Sequence, residues 1–163
     1  MKHWVFVCTQ QHWQEAATFF NHLKEQGARV GCPIDPPVVE TIESDRKDFF
    51  VRGIKKGLSQ LSKQDSFYSQ IVQNIFMNFD EFGIIKKHKK GFKCEMVFAL
   101  LPNRKADTYA AIKKLCCLDY EHKMPSQCVL YSTIRDREKI TAVASKVSHR
   151  YLGYESYRMS HVK

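Results

Sequence analysis

Glu95-Met96-Val97-Phe98-Ala99-Leu100-Leu101 is an unbroken apolar run, and Pro102-Asn103-Arg104-Lys105 follows it as a polar turn. A helix-favouring segment with Tyr109, Ala110, Ala111, Ile112, Lys113 and Lys114 comes next. The run has the length and composition of a strand buried on both faces. Asp107 stands where a helix N-cap is expected, and Tyr109 and Lys113, four apart, share one face of the helix it would open. A strand that feeds a helix through a short polar turn is half of a βαβ unit.

The rest of the chain repeats the alternation. Trp4-Val5-Phe6-Val7-Cys8 reads as a first buried strand. From Gln10 to Gln26 the period becomes helical, with Trp13, Ala16, Ala17, Phe20 and Leu23 on one face and Gly27 as a stop. A second strand is expected around Arg29 to Ile34, and Pro33, Pro36 and Pro37 then force extended chain. Ser44 is placed to cap a helix with Asp45 and Asp48 in its first turn and Phe50, Ile54 and Leu58 facing inward. The third strand is Met96 to Leu101, the third main helix Asp107 to Cys117, and the fourth strand Cys128 to Thr133. A last helix is expected from about Arg135 to Tyr151, with Ile140, Val143, Ala144, Val147 and Tyr151 as its core stripe and Thr133 followed by Asp136 as its N-cap arrangement. Four alternations predict an α/β domain with a parallel sheet of about four strands flanked by helices.

One region breaks this rhythm. Gln60 to Lys93 is too long for an ordinary connection. Phe67, Ile71, Ile75 and Phe79 keep a helical period, so an inserted extra helix is expected there. The insertion ends in Lys86-Lys87-His88-Lys89-Lys90, which reads either as a solvated loop or as a contact to an RNA backbone or a nuclear-import signal.

At 163 residues the chain is long enough to bury one core without staples, and 44% hydrophobic residues argue for a folded chain. A net charge of +9 favours a polyanionic partner without choosing among RNA, DNA and acidic lipid. Cys8, Cys32, Cys94, Cys116, Cys117 and Cys128 form no C-x-x-C pair, and several sit in apolar runs. They read as buried reduced thiols, and the histidines show no metal-ligand spacing, so no metal site is expected. No apolar run has the length of a membrane span, and Met1 leads directly into strand-like sequence. The expectation is no membrane, no signal peptide, a cytoplasmic or nuclear address, and a piece of something longer.

The candidate binding residues gather where a parallel sheet keeps its functional loops, at the carboxyl ends of its strands. Tyr109 offers a ring for stacking and Lys113 an ammonium for a phosphate. In Pro125-Ser126-Gln127-Cys128-Val129-Leu130, Gln127 is placed just before the fourth strand, where its amide can donate to a phosphate oxygen. On the last helix Lys139, Lys146 and Arg150 make a second stripe. Lys146 and Arg150 are like charges four apart, which costs a helix about 0.2–0.5 kcal/mol unless an anion lies between them. Each residue also has an ordinary role open to it: Tyr109 as a core aromatic, the lysines as solvated helix charges, Gln127 at a strand end, Asn103-Arg104-Lys105 as a plain turn.

The spacing of Tyr109 and Lys113, read with Pro-Ser-Gln-Cys, resembles the MID domain of Argonaute proteins, and the Piwi branch more closely than the Ago branch. The resemblance spans most of the chain from Trp4 and is most specific from Asn103 to Leu130. It implies a Rossmann-like fold over residues 1–163, with an insertion at about 60–93 and a tail at 155–163. It also implies an RNA-silencing module, without catalysis of its own, that anchors the 5′-monophosphorylated end of a piRNA-like guide RNA. By position Tyr109 corresponds to the stacking tyrosine, Lys113 to the phosphate lysine and Gln127 to the pocket glutamine, with Cys128 beside it. Pro102, Asn103, Arg104, Lys105, Ala106, Asp107 and Thr108 correspond to the loop that selects the first base. That loop is one residue longer than in typical Piwi sequences. An ungapped count puts Arg150 where the family has a glutamine and Tyr154 where it has the last pocket lysine, with Glu155-Ser156 in place of a Gly-Gly pair. Either Arg150 supplies the missing charge from one turn earlier or the pocket is weakened; Arg150 is the candidate, with Lys146 beside it as a further phosphate-binding residue. The implied partners are a guide RNA and neighbouring PAZ and PIWI domains, the implied cofactor at most Mg2+ bridging the RNA phosphate, and the expected state a monomer.

Two other classes compete. A protein-interaction domain could keep this fold with a degenerate RNA pocket, as the Tyr154 departure suggests. A small nucleotide enzyme is disfavoured, because Thr9-Gln10-Gln11-His12 after the first strand is no glycine-rich phosphate loop and no catalytic cluster stands out.

Overall fold

Burial on both faces organises the molecule. In the computed structural model, which describes residues 1–29, 31–76, 94–119, 123–136, 138–143 and 145–147 (65–76 by backbone alone), two strands are buried at every position. These are β1 (Trp4–Thr9) and β3 (Met96–Leu101). They lie side by side at the centre of a four-stranded sheet, between β2 (Val38–Ile42) and β4 (Ser126–Leu130), in the order β2-β1-β3-β4. Every pairing is parallel. The winding direction reverses between β1 and β3, as in Rossmann-like sheets.

Strand periodicity divides the core. Trp4, Phe6, Cys8, Phe98 and Leu100 point to one face, where α1 (Trp13–Arg29) supplies Ala16, Phe19 and Leu23. The same face receives Ile134 from α4 (Tyr131–Ile134), and Ile140, Val143 and Val147 from a last helix at residues 138–143 and 145–147. Val5, Val7, Val97, Ala99 and Leu101 point to the other face. There they meet Phe50, Ile54 and Leu58 of α2 (Lys47–Phe76) and Ile112 of α3 (Ala106–Lys114), which a π-turn at Leu115–Asp119 prolongs.

Several expected boundaries move, each for a physical reason. The second strand is Val38–Ile42 and not Arg29 to Ile34. Helix α1 runs past Gly27 to Arg29, and Gly31, at φ 72°, makes the reversal. The Gly31 N–H donates to Ala28 O and the Cys32 N–H to Gly27 O, the two bonds of a Schellman cap. Gly27 serves close packing instead, since a Cβ there would lie 2.6 Å from Cys32 O. Ser44 Oγ accepts from the Arg46 N–H, at 3.4 Å, and Asp45 precedes α2 rather than sitting in its first turn. No break separates α2 from the expected inserted helix: α2 continues to Phe76. Residues 77–93, with the basic run Lys86 to Lys90, lie outside the described residues. Strand β4 starts at Ser126, so Gln127 lies within it, and the chain turns helical at Tyr131 where strand was expected. Asp136, not Thr133, caps the last helix: its Oδ1 accepts from the N–H groups of Glu138 (3.1 Å) and Lys139 (3.4 Å).

Helix α2 presses on the sheet through two glycines one turn apart. A Cβ at Gly57 would stand 2.5 Å from Val5 Cγ1, and one at Gly53 would stand 2.9 Å from Ile42 Cγ2. Val5 is fully buried and cannot retreat. Glu40 on β2 is buried against the same helix, where Lys56 Nζ (2.8 Å) and Gln60 Nε2 (2.6 Å) donate to its two oxygens. In an exposed helix Gly→Ala stabilises, by up to about 1 kcal/mol. Here Gly57→Ala is expected to destabilise by about 1–3 kcal/mol, read as a lower urea midpoint at unchanged slope.

Candidate functional site

Lys113 joins α3 to the edge strand. Its ammonium donates to the Ser126 carbonyl at 2.6 Å and to Ser126 Oγ at 2.9 Å. One turn earlier on the same face, the Tyr109 ring centroid lies 5.5 Å from that nitrogen, a cation–π distance. Tyr109 is 49% exposed, unusual for a large ring beside a packed sheet. One group thus braces a helix against a strand and sets a positive charge beside an open aromatic surface.

A cavity of about 390 Å³ opens at this ring. Leu101, at the end of β3, Ala106, and Cys128, Val129 and Leu130 of β4 supply its apolar lining, and Arg104 and Lys105 supply its polar side. Its size suits a small ligand, and it sits at the carboxyl ends of the strands. A larger cavity of about 550 Å³ lies at the opposite ends, among Lys2, His3, Asp35, Gln60 and Gln64, away from the helix N-termini that follow the strands.

The loop leading into α3 is built differently from its sequence expectation. Asp107 lies inside the helix, and its Oδ1 accepts from the neighbouring Thr108 N–H at 2.8 Å instead of capping. The N-cap position is Lys105, without a side-chain cap. Pro102 is half-buried, Asn103 to Asp107 are exposed, and Thr108 is buried with its hydroxyl unpartnered among the described residues. Asn103 Nδ2 and Lys105 Nζ both donate to Asp45 Oδ2, at 2.8 and 2.7 Å. These bonds hold the Asp45 carboxyl below the usual carboxylate range, Lys105 contributing most.

The remaining candidates sit at different distances from this centre. Gln127 follows Ser126 directly, but strand alternation turns its side chain to the opposite face of the edge, in register with Phe98. Its Nε2 donates to Cys128 O at 3.2 Å, while its Oε1 is buried with no partner among the described residues. Cys128 is half-buried and lines the cavity. Lys146 is exposed on the last helix, and Lys139 is engaged with Asp136 at 2.8 Å. Arg150 and Tyr154 lie outside the described residues. Behind β4, Tyr131 donates to Glu15 at 2.6 Å and stacks on His12 at 3.8 Å between centroids, tying the α1 side together.

Cys8, Cys32, Cys94 and Cys116 are buried free thiols, whereas Cys117 is exposed. Burial pushes the Cys116 thiol up to about 11 and that of Cys94 up to about 12. Sequence reading missed Ser126 as the lysine's seat and Asp45 as the loop's partner; a small hydroxyl beside the expected strand entry was the only signal for the first. Lys113→Ala is expected to lower unfolding free energy by about 1–2 kcal/mol, since it strips Ser126 of a charged donor. Tyr109→Ala, at a half-exposed position, should stay within about 0.5 kcal/mol. Chemical denaturation of the two variants checks both.

No family model matches the chain. It is similar to Protein argonaute-3 of Drosophila melanogaster, 25% identical over 144 residues, and to Piwi-like protein Ago3 of Bombyx mori, 24% identical over 144 residues. Each alignment takes in 88% of this chain but only 13% and 12% of the relative, so the chain spans about an eighth of the length of these relatives. The crystal structure of Drosophila Piwi shares the fold, with a TM-score of 0.59 at 20% identity, over 89% of this chain and 15% of that one. Sequence likeness and fold thus point the same way, to a domain of the Argonaute–Piwi clade.

Proposed function

We propose that this domain is a MID domain that grips the 5′-monophosphorylated end of a small guide RNA in RNA silencing. The observation that carries the reading is the half-exposed Tyr109 ring, which lines a largely apolar cavity and has the Lys113 ammonium 5.5 Å from its centre. A flat π-surface takes the first base by stacking, worth about 1–3 kcal/mol per base, without reading its identity. An ammonium pre-set on Ser126 keeps part of its donor capacity for a phosphate oxygen and fixes the end in register. Gln127 leaves β4 on the face opposite Ser126, and its buried amide oxygen has no partner among the described residues.

The acceptor side of the pocket does not suit a divalent cation. Lys113 lies beside the ring and Arg104 and Lys105 line the cavity, all of them cations, and Asp45 already accepts two donors. Among the described residues no cluster of His, Cys, Asp or Glu could hold a metal. No step of this reading therefore passes through Mg2+. The domain acts by binding alone, as part of a longer chain with PAZ and PIWI neighbours, at a cytoplasmic or nuclear address, and catalysis lies with other domains.

The test is binding of short RNAs that differ only in a 5′ phosphate or a 5′ hydroxyl. Wild type should prefer the phosphate, with affinity falling as salt rises. Lys113→Ala with Gln127→Ala should abolish the preference, and Tyr109→Ala should weaken both RNAs about equally. A preference that survives the double substitution contradicts these roles.

A further inference from the structure

We infer that Asp45 is a positioning residue for the 102–108 loop: it holds Lys105 and Asn103 against the β2–α2 connection and so leaves Arg104 as the loop's ligand-facing cation. This inference rests on the RNA-end reading for its ligand, but its geometry stands without it. Asp45 belongs to the segment after β2, while Asn103 and Lys105 belong to the segment after β3. With β1 between those strands, the bridge reaches across the end of β1, the point where the winding of the sheet reverses. Open α/β sheets usually receive ligands at that crevice. Here a carboxylate with two donors, at 2.7 and 2.8 Å, ties its two banks together, and the cavity opens on the other side of β3, over β4.

The bridge divides the loop's three polar residues by task. Lys105, which also lines the cavity, is held by a carboxylate and is partly neutralised. Asn103 contributes its amide to the same oxygen. Arg104 lines the cavity too, yet no carboxylate among the described residues pairs with it. Its planar donors and flat face are suited to the acceptor edge or face of a base. Fixing the residues on either side of Arg104 restricts where its guanidinium can go, which favours one base edge over another. The carboxyl of Asp45 sits below the usual range, so the bridge is fully charged at neutral pH.

Two measurements test this with Asp45→Ala, Asp45→Asn and the conservative Asp45→Glu. The first needs no ligand: limited trypsin digestion of the folded protein, reading cleavage after Arg104 and Lys105. Both neutral variants should be cut several-fold faster there than wild type, with Asp45→Glu close to wild type. Unchanged cleavage after Arg104 and Lys105 overturns the inference, whatever the RNA results. The second compares 5′-phosphorylated RNAs that differ only in the first base. The ratio between the best and the worst base should fall about two- to fivefold in Asp45→Ala, the range open to an exposed ion pair, while the preference for 5′ phosphate over 5′ hydroxyl holds. An unchanged base ratio, or an equal loss of both preferences, contradicts a positioning role. Loss of phosphate preference in wild type itself would count against the RNA-end reading and not against the bridge, which the digestion decides.

Discussion

The ammonium of Lys113 on the Ser126 carbonyl and hydroxyl is the constraint from which the site follows. Ser126 opens β4, which among the described residues is an edge strand paired with β3, with Val97 opposite Ser126. The Val97 N–H adds a bond to Pro125 O at 2.9 Å, which fixes the entry of that strand. Lys113 then carries the constraint to α3, and the helix period carries it one turn back to Tyr109. The ring owes its place to the contact that Lys113 makes with a strand thirteen residues further along the chain. It therefore stands half-exposed without being loose.

Two-sided burial explains why everything polar collects at the strand ends. With β1 and β3 buried throughout, the two central strands have no face to offer a ligand. Glu40 is the exception, and it spends both oxygens on α2. The close approach at Gly53 and Gly57 seals one face of β1, and Phe19 with Leu23 seals the other. Recognition is left to the loop after β3, the start of α3 and the exposed edge of β4. That concentration of donors on one corner gives the excess of positive charge a specific place to act.

Sequence legibility followed the type of signal. Strands β1 and β3 were readable to within a residue, because a buried parallel strand is an unbroken apolar run and little else looks like it. Strand β2 was not, because Cys32 and Ile34, the apolar residues around the first proline, lie in irregular chain after the Gly31 reversal, while Glu40 made Val38–Ile42 look half-polar. The β-branched and aromatic stretch after Leu130 mimicked strand but folds as helix. Tyr109 and Lys113 were found by their four-residue spacing, a local rule. Asp45 was beyond any local rule, since it meets partners 58 and 60 residues away. Gln127 was found by motif, yet its side chain leaves the strand on the face opposite Ser126, a matter of one residue in the strand's start.

The most direct measurement is a titration of the domain with uridine 5′-monophosphate and with uridine, followed through backbone amide shifts. The account predicts saturable shifts clustered at Tyr109, Lys113, Gln127 and Cys128 for the nucleotide, and much weaker ones for the nucleoside. Equal responses to the two ligands, or shifts gathered away from the junction of α3 and β4, would contradict it.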